Sequence, residues 1–112
     1  MDLSTTVPIT SALALDAWLR EHGGVEREVI ISIHKRTSPD FAVGLPELQE
    51  VALCHGWVDV RTQRVDDARY AIRFTPRRPG SNWTHGNRDL ARRLLAEGRL
   101  TPAGLATLPT DL

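Results

Sequence analysis

Residues 68–75, Ala68-Arg69-Tyr70-Ala71-Ile72-Arg73-Phe74-Thr75, decide the fold. Tyr70, Ile72 and Phe74 alternate with Ala71, Arg73 and Thr75. Side chains on an extended chain point to opposite faces in turn, so this period of two predicts a strand with one buried face. Pro76 and Pro79 follow directly. A proline cannot donate to a strand ladder, so the strand should end there and pass into a loop.

Working upstream, Trp57-Val58-Asp59-Val60 is predicted as a strand over 57–60, with a turn at Arg61-Thr62-Gln63. Only residues 61–68 join it to the 69–75 strand, so the two should pair as an antiparallel hairpin. A third strand is expected over 28–34, where Val29, Ile30, Ile31 and Ile33 form a β-branched run too short for a helix. Helices are expected near 11–22, 46–55 and 85–96, and a short one begins at Thr101-Pro102. Thr10 or Ser11 and Thr84 are possible caps, Pro46 suits a first turn, and Gly23, Gly56 and Gly98 suit helix ends. Leu90, Leu94 and Leu95 are expected to form the apolar face of the 85–96 helix, and Asp89 and Arg93 an i, i+4 pair on it. The expected architecture is α+β, a small antiparallel sheet packed by three to four helices, in one domain over 1–112. Trp18, Ile31, Val51, Leu53, Trp57, Phe74, Leu90 and Leu94 are the expected core.

A chain of 112 residues with 41% apolar and 25% charged side chains fits a single globular domain. No apolar run approaches the roughly 20 residues of a membrane helix, and Met1–Thr10 lacks the pattern of a secretory signal. A cytoplasmic setting is the expectation. Net charge is zero, but residues 1–56 carry four basic and eight acidic side chains, and residues 57–112 carry ten and six. This balance makes nucleic acid an unlikely partner.

Downstream of the strand, Arg73, Arg77, Arg78, Ser81, Asn82, Trp83 and Thr84 are gathered in and around one loop that leads into a helix. Guanidinium forks and free N–H groups at a helix start both suit phosphate or carboxylate. One reading is a site for a phosphate- or carboxylate-bearing ligand. The other is that Ser81, Asn82 and Thr84 cap the helix, Trp83 pins the loop to the core, and the arginines are solvated or paired with acids of the first half. His55 and Asp59 are weaker candidates for acid/base chemistry, since histidine titrates near neutral pH and a carboxylate can orient it. His22, His34, His55 and His85 have no metal-ligand spacing, and neither a metal nor a cofactor is expected.

Three blocks resemble a known family. They are Val51–Val60 (VALCHGWVDV), Arg73–Thr84 (RFTPRRPGSNWT), and Asn87 with Gly98–Ala106 (GRLTPAGLA). Together they are similar to the YdeI/OmpD-associated (bacteriocin-protection) family across nearly the whole chain. His55, where an aromatic residue is common, and Leu100, where methionine is common, depart from its pattern. The resemblance implies a bacterial protein with a part in envelope stress or antimicrobial-peptide tolerance, and it implies no reaction. Three functional classes stay open: an anion-binding module, a small enzyme using His55, Asp59 and Arg77 on an anionic metabolite, and a nucleic-acid-binding module.

Cys54 is the only cysteine and lies among apolar residues, which predicts a buried, inert thiol. Labelling of the folded protein by a thiol reagent should be slow and should accelerate on denaturation. Rapid labelling at neutral pH would make Cys54 a candidate nucleophile.

Overall fold

The computed structural model describes residues 1–112. The chain forms α1 (Ala12–His22), β1 (Val29–His34), α2 (Leu45–Cys54), β2 (Trp57–Arg64), β3 (Arg69–Pro76), α3 (His85–Ala96) and α4 (Pro102–Leu105), after a 3-10 turn at Leu3–Thr5. The three strands make one antiparallel sheet in the order β1-β3-β2, so the fold is α+β. No helix is long and apolar enough to cross a membrane.

The alternation in β3 holds for Ile72 and Phe74, but Ala71 and the neighbouring Ile30 of β1 are buried on the opposite face, so the burial is not confined to one side as expected. Ile72 and Phe74 are buried on the face that also carries Val29, Ile31 and Trp57, and α1 and α2 contribute Leu15, Leu19, Leu48, Val51 and Ala52 to the same core. The N-terminal lead-in is part of this assembly. Val7 bridges in parallel to Ile31, its N–H donates to the Ile30 carbonyl at 2.8 Å, and Ile9 is buried. A second, smaller core joins Leu53 and Cys54 of α2 to Ala91 and Leu94 of α3, with Trp83, Leu90 and Leu108 packed against it.

Local chemistry explains the helix boundaries. Ser11 caps α1 by accepting from the Ala14 N–H at 3.0 Å. The Gly44 N–H donates to Glu47 at 3.1 Å at the start of α2. Thr84 accepts from the Asn87 N–H at 3.1 Å at the start of α3. Each bond satisfies an N–H that a helix end or its approach leaves without a partner.

Four other expectations need correction. β2 does not turn at 61–63 but runs to Arg64, with Thr62 opposite Ile72 and Gln63 opposite Ala71. Those polar residues sit on an edge strand, where one side faces solvent and polar side chains are no obstacle. The turn falls at Val65–Ala68, where Asp66 accepts from the N–H groups of Ala68 (2.9 Å) and Arg69 (2.8 Å) and grips the Arg69 guanidinium. Trp18 and Leu90 are half-buried rather than core, because they lie beside the stripes Leu15–Leu19 and Ala91–Leu94. Leu95, a further 100° or so round the helix from Leu94, is 46% exposed and does not share the apolar face. Asp89 pairs with Arg92 at 2.9 Å rather than Arg93, which reaches Glu50 and Glu97 instead.

The end of α2 is the tightest packing point. A Cβ at Gly104 would lie 2.2 Å from the Cys54 carbonyl oxygen and 3.1 Å from that of Leu53. Both are backbone atoms and cannot swing aside. Gly104→Ala should therefore lower stability by about 1–3 kcal/mol. Gly86→Ala, with open space around the added methyl, should be neutral or slightly stabilising, since alanine favours helix by roughly 0.5–1 kcal/mol. Thermal melts of the two variants check this.

The Asp66 carboxyl is lowered from an ordinary 3.8 to about 2, chiefly by its hydrogen bond to Arg69 and then by the Ala68 N–H. A depressed folded-state value means that the turn's contribution is fully present above the unfolded pKa and is lost as pH falls from near 3.8 toward 2. Carboxyl shifts followed by NMR should give the low midpoint for Asp66, and Asp66→Asn should abolish that part of the acid sensitivity.

Candidate functional site

The ladder between β2 and β3 contains one irregularity. Asp59 lies opposite Phe74 and Arg61 opposite Arg73, so Val60 is an extra residue without a partner. Such a bulge re-aims the side chains beyond it. Val58, opposite Thr75, and Arg61, opposite Arg73, therefore fall on the same face, away from Ile72 and Phe74. Opposite residues on antiparallel strands are close neighbours, and two like charges there repel.

Beyond β3 the chain extends this face. The Arg77 N–H donates to the Gly56 carbonyl at 2.8 Å, which carries the ladder one residue past Pro76. The loop then turns sharply, with the Ser81 N–H donating to the Arg78 carbonyl at 3.1 Å and Gly80 at φ +72°. Proline at the second position and a left-handed glycine at the third fit a type II turn. Trp83 comes next and packs against the second core.

These elements enclose a groove of about 830 Å³ on the sheet side of the loop, lined by Arg27, Arg73, Arg77 and Arg78 together with Val58, Val60 and Ser81. No acidic side chain lines it. Arg73 is paired with Glu28 at 3.1 Å, whereas Arg27, Arg61, Arg77 and Arg78 form no ion pair. On the other side of the loop a smaller recess of about 430 Å³ also has Arg77 and Arg78 in its wall, with Trp83 and Asp111.

Arg77 is the centre of the arrangement. Its guanidinium lies over the Trp83 ring at 4.0 Å. Its Nε is buried and has no hydrogen-bond partner. Nη1 makes only long contacts, 3.4 Å to Ser81 Oγ and 3.5 Å to the Asn82 carbonyl. Burial depresses its pKa, and the negative charge of Asp59 offsets this in part. The guanidinium stays charged nonetheless. A partly desolvated cation without a counter-ion is an unusual thing for a fold to keep.

The remaining expected residues separate into groups. Arg73, Arg77, Arg78 and Ser81 come together at the groove. Trp83 holds the loop from the other side, and its face is occupied by Arg77. Asn82 and Thr84 line neither recess, and the Thr84 hydroxyl is engaged as the cap of α3. Arg88 and Arg92 are paired with Asp111 (3.2 Å) and Asp89 (2.9 Å).

His55 and Asp59 do not meet. His55, 7% exposed at the end of α2, contacts Asp16 of α1 through Nε2 at 2.7 Å. Asp16 also accepts from Arg20 at 2.8 Å, and Arg20 first and His55 second hold its carboxyl below the usual range. Asp59 accepts instead from Gln49 Nε2 at 3.3 Å. Burial pushes the Cys54 thiol pKa up, which disfavours the nucleophilic thiolate. No group of three or more His, Cys, Asp or Glu side chains is placed to hold a metal ion.

Sequence reasoning missed Arg27, Val58 and Val60. Arg27 reaches the groove because β1 pairs with β3, Val29 lying opposite Phe74. The alternation within β1 carried no sign of that partner.

Comparison with known proteins places the chain at the level of a family. A family model described as a domain of unknown function, DUF8412, matches residues 7–107. No curated protein and no solved structure matches the chain. The matched span takes in all three strands, the four α-helices and the whole arginine loop, and the chain belongs to the DUF8412 family.

Proposed function

We propose that this domain binds a phosphate- or carboxylate-bearing ligand in the sheet-side groove, with Arg77 as its principal contact and Arg73, Arg78 and Ser81 beside it. The observation that carries the reading is the state of Arg77, half-buried, stacked on Trp83 and without a carboxylate partner. An anion at the exposed edge of its guanidinium would supply the charge compensation that the protein withholds. The loop is held by the Gly56 carbonyl and by Trp83, so little ordering entropy would be lost on binding.

The acid/base reading with His55, Asp59 and Arg77 has less support. His55 is buried against Asp16 and lines neither recess beside the arginine loop. Nucleic acid gains the basic groove but lacks an aromatic side chain lining it for stacking. A part in bacterial envelope stress or antimicrobial-peptide tolerance belongs to the same proposal, supported by the likeness of the three sequence blocks to YdeI/OmpD-associated proteins, and a cytoplasmic setting is proposed with it.

Titration with inorganic phosphate at low and moderate salt, followed by calorimetry or amide shifts, tests the site. A charge-assisted hydrogen bond contributes roughly 1.5–3 kcal/mol, so Arg77→Ala should weaken binding by about ten- to a hundredfold. Arg78→Ala should weaken it less, since Arg78 is exposed. Arg92→Ala, already satisfied by Asp89, should leave it unchanged. If Arg77→Ala and Arg78→Ala change binding no more than Arg92→Ala while lowering the melting temperature, the loop is a structural clamp and the reading is abandoned.

A further inference from the structure

The groove is far larger than a lone oxyanion requires, and part of its lining is apolar. Its volume of about 830 Å³ lies in the range of sites that hold a whole small molecule, roughly 300–1,000 Å³. Between the arginines lie Val58 and Val60 of β2 and the rings of Pro76 and Pro79. Val60 is 49% exposed, and it is the extra residue of the bulge, unpaired between Asp59 and Arg61. The aliphatic stems of the arginines add further apolar surface around their charged ends. A site for a small inorganic anion alone would make no use of an exposed valine among arginines.

The geometry points to an amphiphilic anion as the ligand: an aliphatic body lying over Val58 and Val60, with a phosphate or carboxylate head at Arg77 and Arg78. This rests on the anion-site reading above and adds the apolar half. The absence of aromatic side chains from the lining favours an alkyl body over a ring that needs a stacking surface. The bulge lets β2 supply the apolar half, with Val58 and the displaced Val60 both lining the groove. A discrete soluble ligand is favoured over a bilayer, because the apolar residues share a groove with the arginines rather than being carried on an amphipathic helix.

The test compares inorganic phosphate, ethyl phosphate and hexyl phosphate by calorimetry, using the full chain and two variants, Val60→Ser and Arg77→Ala. Each methylene buried in the groove should tighten binding by roughly two- to fourfold. Hexyl phosphate should therefore bind at least about tenfold more tightly than ethyl phosphate. Val60→Ser should cut that ratio at least about threefold while leaving inorganic phosphate affinity and the melting temperature unchanged. Arg77→Ala should weaken all three ligands. A hexyl-to-ethyl ratio below about tenfold, with phosphate binding still dependent on Arg77, overturns this inference and leaves the anion site standing. A large ratio that Val60→Ser does not alter places the alkyl chain elsewhere and also overturns it. Sedimentation with phosphatidic acid vesicles in the absence of hexyl phosphate binding would replace the soluble amphiphile with a membrane surface. If none of the three phosphates binds, the anion-site reading falls as well.

Discussion

The Cys54 carbonyl accepts two hydrogen bonds from Thr101, one from its N–H at 2.9 Å and one from its hydroxyl at 2.8 Å. The same hydroxyl accepts from the Gly104 N–H at 3.2 Å and so caps α4. Two residues later, the Gly56 carbonyl accepts from the Arg77 N–H. Between them the His55 ring bonds Asp16 of α1. Three consecutive residues thus fasten α1, α4 and the arginine loop to the end of α2. Gly56 makes the junction possible because its φ of +77° is costly for a residue with a side chain, and a Cβ there would meet the Ala103 carbonyl oxygen at 2.8 Å. The position of Arg77 in the groove follows from this junction.

The parts of the fold legible in the sequence were those set by local chemistry. The alternation of Tyr70, Ile72 and Phe74 predicted β3, and Pro76 and Pro79 marked the passage from strand to loop. Thr10 or Ser11, Thr84 and Thr101 marked helix starts by residue type alone, and of the first two it is Ser11 that caps. The groove arginines were visible as a cluster, because Arg73, Arg77 and Arg78 are near neighbours in the chain. What stayed hidden depends on pairing between distant segments. His55 and Asp16 are 39 residues apart, and adjacency in sequence suggested Asp59 instead. The strand partner of β1 could not be inferred from its own β-branched run, so Arg27 remained outside the expected site. The bulge left no clear mark either, since Val58-Asp59-Val60 looks like ordinary alternation.

The charge asymmetry of the chain finds a partial resolution in three dimensions. Acids of the first half neutralise several basic side chains of the second, as Glu28 does for Arg73 and Glu50 for Arg93. Three arginines that line the groove stand outside this compensation. Arg77 and Arg78 belong to the basic second half and receive no carboxylate, and Arg27 joins them from the first. A neutral net charge therefore coexists with a local positive field, and neutrality says little about what a particular face attracts.

The sheet has two edges, and they differ in character. Along β1 the bridge between Val7 and Ile31 covers part of the backbone. Along β2 the outer hydrogen-bonding groups belong to a strand that no other strand pairs. An open edge of that kind is a template on which a second molecule can add its own strand, and repeated addition leads to fibres. The displaced Val60 breaks the regular spacing such docking needs, and Arg61, which has no carboxylate partner, brings like charges together wherever two copies meet edge to edge. Both features count against edge-to-edge pairing of two copies, and the charge effect weakens as added salt screens it.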